Sequence, residues 1–141
     1  MKSASSSLNV FVYGTLKPGE INYLSYCEGK VVSQISGYVR GDLYALPAGY
    51  PAMTEGNNQV YGVLLTFNNA NDANILTSLD LLENYQPQRL SELNQYNRRL
   101  VTVYDTEDRA IAQAWAYFMT TDKIRQHQGI RLASGSWTGN N

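Results

Sequence analysis

Residues 71–85 place Ile75, Leu76, Leu79 and Leu82 at the i, i+3, i+4 spacing of an amphipathic helix, with Asn71 as its N-cap. With Ile75 set at zero and ~100° per residue, Leu79 falls at ~40°, Leu82 at ~−20°, Leu76 at ~100° and Glu83 at ~80°. Glu83 therefore points with the apolar stripe. A carboxylate aimed at an interior costs several kcal/mol unless it is paired, protonated or facing a cavity. Three arrangements satisfy this position: a frayed last turn, an ion pair with Arg89, Arg98 or Arg99, or a cavity where an acid/base is needed. Asp80, at ~140°, lies at the edge of the stripe and is expected in solvent.

A second chemically suggestive stretch is Val12 to Gly19, VYGTLKPG, where an apolar β-favouring run meets a glycine and a short loop. Such a turn either only reverses the chain or leaves successive N–H groups aimed at one spot, fit for a carboxylate or a developing oxyanion. It lacks the Gly-Lys-Ser/Thr ending of a phosphate loop and the glycine spacing of a dinucleotide site. The only cysteine, Cys27, and the only histidine, His127, make neither an internal disulfide nor a thiolate–imidazole zinc site. His127 sits in the polar KIRQHQG stretch, and no Gly-X-Ser-X-Gly elbow occurs, which weighs against a serine hydrolase.

These residues need elements to position them. Leu8–Tyr13 reads as a buried strand. Glu20–Glu28 reads as a short helix with Ile21, Leu24 and Cys27 on one side. Gly37–Leu46 and Val60–Phe67 read as strands separated by a Gly/Pro/Asn-rich loop. Arg98–Tyr104 and Ala110–Met119 flank the turn 105–109 and read as a long hairpin, in which Tyr117 alternates with Trp115 and Met119. Five or six strands with two or three helices make an α+β fold. No linker or repeat divides the 141 residues, so one domain spans 1–141, with 1–7 and 138–141 expected to be flexible and the tail from Gly135 loosely held. Eleven Lys+Arg against 12 Asp+Glu, without charge runs, points away from nucleic acid and membrane surfaces. With no signal peptide and no membrane span, a cytoplasmic location is expected.

YGTLKPG, then Gly49-Tyr50-Pro51-Ala52, then LDLLENY with Asp80 and Glu83, then YNRRLVTV with Tyr96 and Arg98, and Ser134-Gly135-Ser136-Trp137 together resemble the γ-glutamylcyclotransferase-like family. The match covers most of the chain and lies nearest the short branch of γ-glutamylamine cyclotransferases and plant avirulence-induced-gene proteins. It departs at Asn84, where a glycine is common, and at Ser136, where an aspartate is common; the polar segment Gln86–Gln95 beside the expected site bears on substrate access. The resemblance implies a small mixed β-barrel of about five to seven strands flanked by two to four short helices, with the turn and Glu83 facing each other across a cavity. It implies release of 5-oxoproline and a free amine from a γ-glutamyl amine or amide, with no cofactor or metal. The oligomeric state stays open.

Glu83 would then be the general acid/base, and Tyr13, Gly14, Thr15, Leu16 and Tyr117 would bind substrate. Arg98, Thr15 and Lys17 side chains are lesser candidates for supporting roles. The substrate brings its own nucleophile, so orientation carries much of the rate. A non-catalytic small-molecule or protein-binding module on the same fold is the alternative.

Overall fold

The computed structural model describes residues 8–67 and 72–139. The expected N-cap Asn71 and the ends 1–7 and 140–141 lie outside them. In chain order the elements are β1 (Leu8–Val12), α1 (Tyr23–Tyr26), β2 (Val31–Ala45), β3 (Pro51–Phe67), α2 (Asp72–Leu82), a single 3-10 turn (Ser91–Leu93), β4 (Asn97–Tyr104), β5 (Ala110–Phe118), α3 (Thr121–Gln126) and β6 (Ile130–Arg131).

The strands run β3-β1-β5-β4-β2-β6, and β2 also pairs with β3, so five strands close into a ring with β6 appended to β2. All pairings are antiparallel except β1 with β5, where Val10 faces Trp115. Closure leaves β1 without an open edge, and alternation along it sorts side chains onto two buried faces. Phe11 and Tyr13 join Val39, Leu43, Met53, Val60, Leu64, Val103, Ala114 and Phe118 inside the ring. Val10, Val12 and Leu16 turn outward, against Leu65, Tyr117, and Ile75 and Leu79 of α2. The α+β class, six strands and three short α-helices agree with the sequence reading.

Three local expectations change. Between Ala45 and Pro51 the chain needs only a tight turn, closed by Leu46 N–H to Tyr50 O (3.0 Å) and Gly49 N–H to Leu46 O (2.9 Å), with Gly49 at φ 102°. The polar stretch that follows is strand, and its Gly/Asn content marks an irregularity between Gly41–Asn58 and Asp42–Thr54 rather than a loop. The first helix is a single turn, and Ile21 and Leu24 are exposed while Cys27 is fully buried. The helix covers only Tyr23–Tyr26, so Ile21 and Cys27 fall outside it and the expected apolar stripe does not form. The described tail is also held. Trp137 is buried in the ring, its carbonyl accepts from Lys17 Nζ, and Gly139 N–H donates to Glu20 Oε1 at 3.0 Å. An aromatic ring of that size offsets the entropy of ordering a small polar tail.

Candidate active site

β1 ends at Val12 and delivers Tyr13 to Leu16 into a turn closed by Lys17 N–H to Gly14 O at 3.0 Å. Glycine is required at position 14, since a Cβ there would lie 2.6 Å from Pro51 Cγ. Among the described residues, the N–H groups of Gly14, Thr15 and Leu16 meet no backbone or side-chain acceptor. Asn22 fastens the far side of the turn, donating N–H to Thr15 O (2.8 Å) and Nδ2–H to Thr15 Oγ1 (2.9 Å). Unpaired donors on successive residues of one turn suit an anionic group.

α2 approaches the same place. Glu83 follows its last assigned residue but still donates N–H to Leu79 O at 2.9 Å, so its side chain keeps the helical direction expected from the wheel. The helix stops at Asn84, whose φ of 55° is left-handed. That explains the departure from a common glycine, because asparagine is the side chain that best tolerates this conformation.

Glu83 and the turn share a cavity of about 290 Å³, lined also by Val12, Asn22, Tyr50, Pro51, Leu82, Gln95, Tyr96 and Tyr117. All six residues expected at the site, Tyr13, Gly14, Thr15, Leu16, Glu83 and Tyr117, line it. The three arginines considered as partners for Glu83 are occupied elsewhere. Arg89 donates to Asn94 Oδ1 and to Asn84, Arg99 pairs with Glu55, and Arg98 lies 3.4 Å from Asp80 Oδ1. The Glu83 carboxyl is half-buried with no ion-pair partner among the described residues, and burial pushes its pKa up from 4.5 to about 7.

Four tyrosines share the cavity with this carboxyl, and the hydroxyls of three of them, Tyr13, Tyr96 and Tyr117, are committed to other acceptors. Tyr13 donates to Tyr117 O at 2.7 Å and accepts from Met53 N–H at 3.1 Å. Tyr96 donates to Pro51 O at 2.6 Å, and Tyr117 to Asp80 Oδ1 at 2.7 Å. Burial, with the charge of Glu83 and, for Tyr117, the bond to Asp80, raises all three phenols well above their ordinary value. Asp80 is thus not the solvated residue its helical angle suggested; it sits at a buried edge, accepts the Tyr117 hydroxyl and is ion-paired with Arg98. Arg98 is itself clasped between the Trp115 ring (4.6 Å) and the Tyr85 ring (5.3 Å).

The remaining sequence candidates lie outside the cavity wall. Lys17 turns to the Trp137 carbonyl, and burial lowers its pKa. Cys27 is buried, its thiol pushed up to about 11, and His127 follows the end of α3. Sequence reasoning missed Asn22 and Gln95 as lining residues, since nothing local distinguishes a polar side chain facing a cavity from one facing solvent. Among the described residues no cluster of His, Cys, Asp or Glu could hold a metal, and no helix is long and apolar enough to cross a membrane.

Residues 10–139 match the family model described as gamma-glutamyl cyclotransferase, AIG2-like. The chain belongs to this family. It is accordingly a cyclotransferase-like enzyme. A Vibrio cholerae protein named "Putative gamma-glutamylcyclotransferase" is 30% identical over 129 residues, 91% of this chain and 93% of that one. In fold, the family member resembles a mouse aig2-like protein (TM-score 0.61, 21% identity, covering 80% of this chain and 77% of that chain). It also resembles YkqA from Bacillus subtilis (TM-score 0.61, 22% identity, covering 93% of this chain), of whose length it spans 39%.

Proposed function

We propose that the enzyme converts a γ-glutamyl amine or amide into 5-oxoproline and a free amine, with Glu83 as general acid/base. The observation that carries this reading is an unpaired carboxyl, raised to about 7, sharing one cavity with the unpaired N–H groups of the Gly14–Leu16 turn. A volume of about 290 Å³ is near the lower bound of about 300 Å³ for small-molecule sites, which suits a glutamyl group.

The substrate enters with an ammonium, an α-carboxylate and a γ-amide. Glu83 takes one ammonium proton, and the freed amine attacks the γ-carbonyl to close a five-membered ring. The turn N–H groups steady the charge that develops on the oxygen. The protonated Glu83 then passes its proton to the amide nitrogen, the C–N bond breaks, and the second surplus proton of the ring nitrogen follows to the leaving amine. Four N–H hydrogens enter and four leave, so neither water nor a net proton is consumed. Because both reacting groups belong to one molecule, holding the chain folded supplies much of the acceleration. A base that must accept from an ammonium and return the proton at neutral pH works best with a pKa near 7.

The test is 5-oxoproline release from a panel of γ-glutamyl amines and dipeptides, beside Glu83→Gln. Release by the native protein and not by the variant supports the reading. No release from any panel member, with ligand binding that survives Glu83→Gln, would replace it with a non-catalytic binding module.

A further inference from the structure

Three of the four cavity tyrosines, Tyr13, Tyr96 and Tyr117, present a puzzle of hydrogen bonding. A half-buried carboxylate beside three phenols would ordinarily take at least one of their hydrogens, which would stabilise its ionised form. Here none does so, because Tyr13, Tyr96 and Tyr117 donate to Tyr117 O, Pro51 O and Asp80 Oδ1. Two of these acceptors are backbone carbonyls, fixed by the fold. The third is a side chain, and it is the adjustable one.

Asp80 is equipped to hold that hydrogen. It lies one helical turn before Glu83, its side chain is 17% exposed, and it carries Arg98 at 3.4 Å as a counter-charge. Arg98 is kept there by two aromatic rings, and its buried Nε has no aligned hydrogen-bond partner, so it balances charge without competing for the oxygen's lone pairs. The groups facing Glu83 are Tyr13 from the turn after β1, Tyr50 from the β2–β3 turn, Tyr96 ahead of β4 and Tyr117 from β5. Asp80 on α2 and Arg98 on β4 stand behind Tyr117.

We propose that Asp80 is a positioning residue: by holding the Tyr117 hydroxyl hydrogen, it keeps that hydrogen from Glu83 and leaves the carboxylate free to accept from the substrate's ammonium. This assignment rests on reading Glu83 as the acid/base. In that reading it separates two carboxylates of one helix, one that keeps a hydrogen in place and one left free to accept.

The experiment is a carboxyl ¹³C titration of Glu83, assigned by its loss in Glu83→Gln, run beside the pH profile of kcat/KM. In Tyr117→Phe the Glu83 midpoint stays where it is in the native protein, because no hydrogen from Tyr117 is removed from it. In Asp80→Ala the released hydroxyl turns to Glu83 and the midpoint falls by about one unit, with the acid limb of kcat/KM moving the same way. Asp80→Ala/Tyr117→Phe reverses most of that fall while leaving Arg98 equally unbalanced, which separates the hydroxyl from the guanidinium. Equal midpoints in Asp80→Ala and the double variant would overturn the proposal. So would a midpoint that rises in Tyr117→Phe, a result that stands even if Asp80→Ala does not fold. If the titrations behave as expected but Glu83→Gln still turns substrate over, the hydrogen-bond assignment holds and the acid/base reading falls.

Discussion

The Tyr117 hydroxyl donates to Asp80 Oδ1 at 2.7 Å, although Tyr117 shares its cavity with Glu83, one helical turn farther on. The two carboxylates thus have opposite surroundings. Asp80 has a donor and a guanidinium; Glu83 has neither among the described residues, only a partly dry cavity. Acid/base assignments generally follow such a divergence.

Glu83→Gln should lose activity and gain stability. Loss of the acid/base lowers kcat by roughly 10²- to 10⁴-fold. The folded pKa lies above the unfolded value of 4.5, so folding binds the proton more tightly. The stability this contributes is complete below about 4.5 and is lost as pH rises through about 7. Above that, the native protein carries a penalty of at most ~3 kcal/mol, a ceiling because the side chain is only half-buried. Urea denaturation at pH 5 and pH 8 checks this. The variant's advantage should grow between them, and an advantage independent of pH would contradict the burial account.

Gly14→Ala should damage turnover more than folding. The new Cβ would meet Pro51 Cγ at 2.6 Å and Cδ at 2.9 Å, so the turn must shift away from Pro51. Overpacking of this kind costs ~1–3 kcal/mol. The same displacement re-aims the N–H groups of residues 14–16, and a misplacement of about 1 Å can cost about 100-fold in rate. Thermal melting and kcat/KM measured on one preparation check the pair; an unchanged kcat/KM would remove the turn from the mechanism.

Which residues share this cavity was largely legible in the sequence. Glu83 announced itself because 3.6-residue periodicity predicts where a side chain points, and the last turn of α2 keeps that periodicity through Leu79 O. Tyr13–Leu16 followed from a β run ending in glycine. Asp80 was misread for a reason of the same kind. A helical wheel shows the angle of a residue to its own helix, but not that β5 carries a tyrosine hydroxyl to meet it. The β2–β3 hairpin was underestimated because Gly, Asn and Pro discourage strand locally, while pairing from Val31–Phe67 through Ala45–Pro51 is a long-range gain that overrides them. Trp137 was overlooked because small polar neighbours suggest a loose tail, whereas one ring filling the interior beside Val39 and Phe118 decides the outcome.

Trp137→Ala should destabilise the whole ring by ~3–5 kcal/mol, the usual cost of emptying a buried aromatic site. Its ring is part of the core that Phe11 of β1 and Tyr13 just after it also fill, and its carbonyl holds Lys17, three residues after Gly14. The midpoint of chemical denaturation should fall with an unchanged slope. A loss below ~1 kcal/mol would mean the tail is an ornament on a core complete without it.

Asn94→Ala should separate substrate affinity from chemistry. Asn94 is only 1% exposed, and its amide organises the 86–95 segment. Oδ1 accepts from Gln86 N–H (3.1 Å) and Arg89 Nε (2.6 Å), while Nδ2 donates to Asn97 Oδ1 (2.9 Å) and Gln86 O (3.3 Å). Truncation leaves these groups without their partner, at ~1–3 kcal/mol. The next residue, Gln95, lines the cavity and reaches the helix end only through its N–H to Asn84 O (3.2 Å), whereas Glu83 itself is held on α2 by its N–H to Leu79 O (2.9 Å). Loosening the segment therefore raises KM severalfold and leaves kcat within about twofold, as expected when binding is lost equally from ground and transition states. Steady-state kinetics on the substrate found by the panel decides it. A fall in kcat with KM unchanged would place this segment in the chemical step instead.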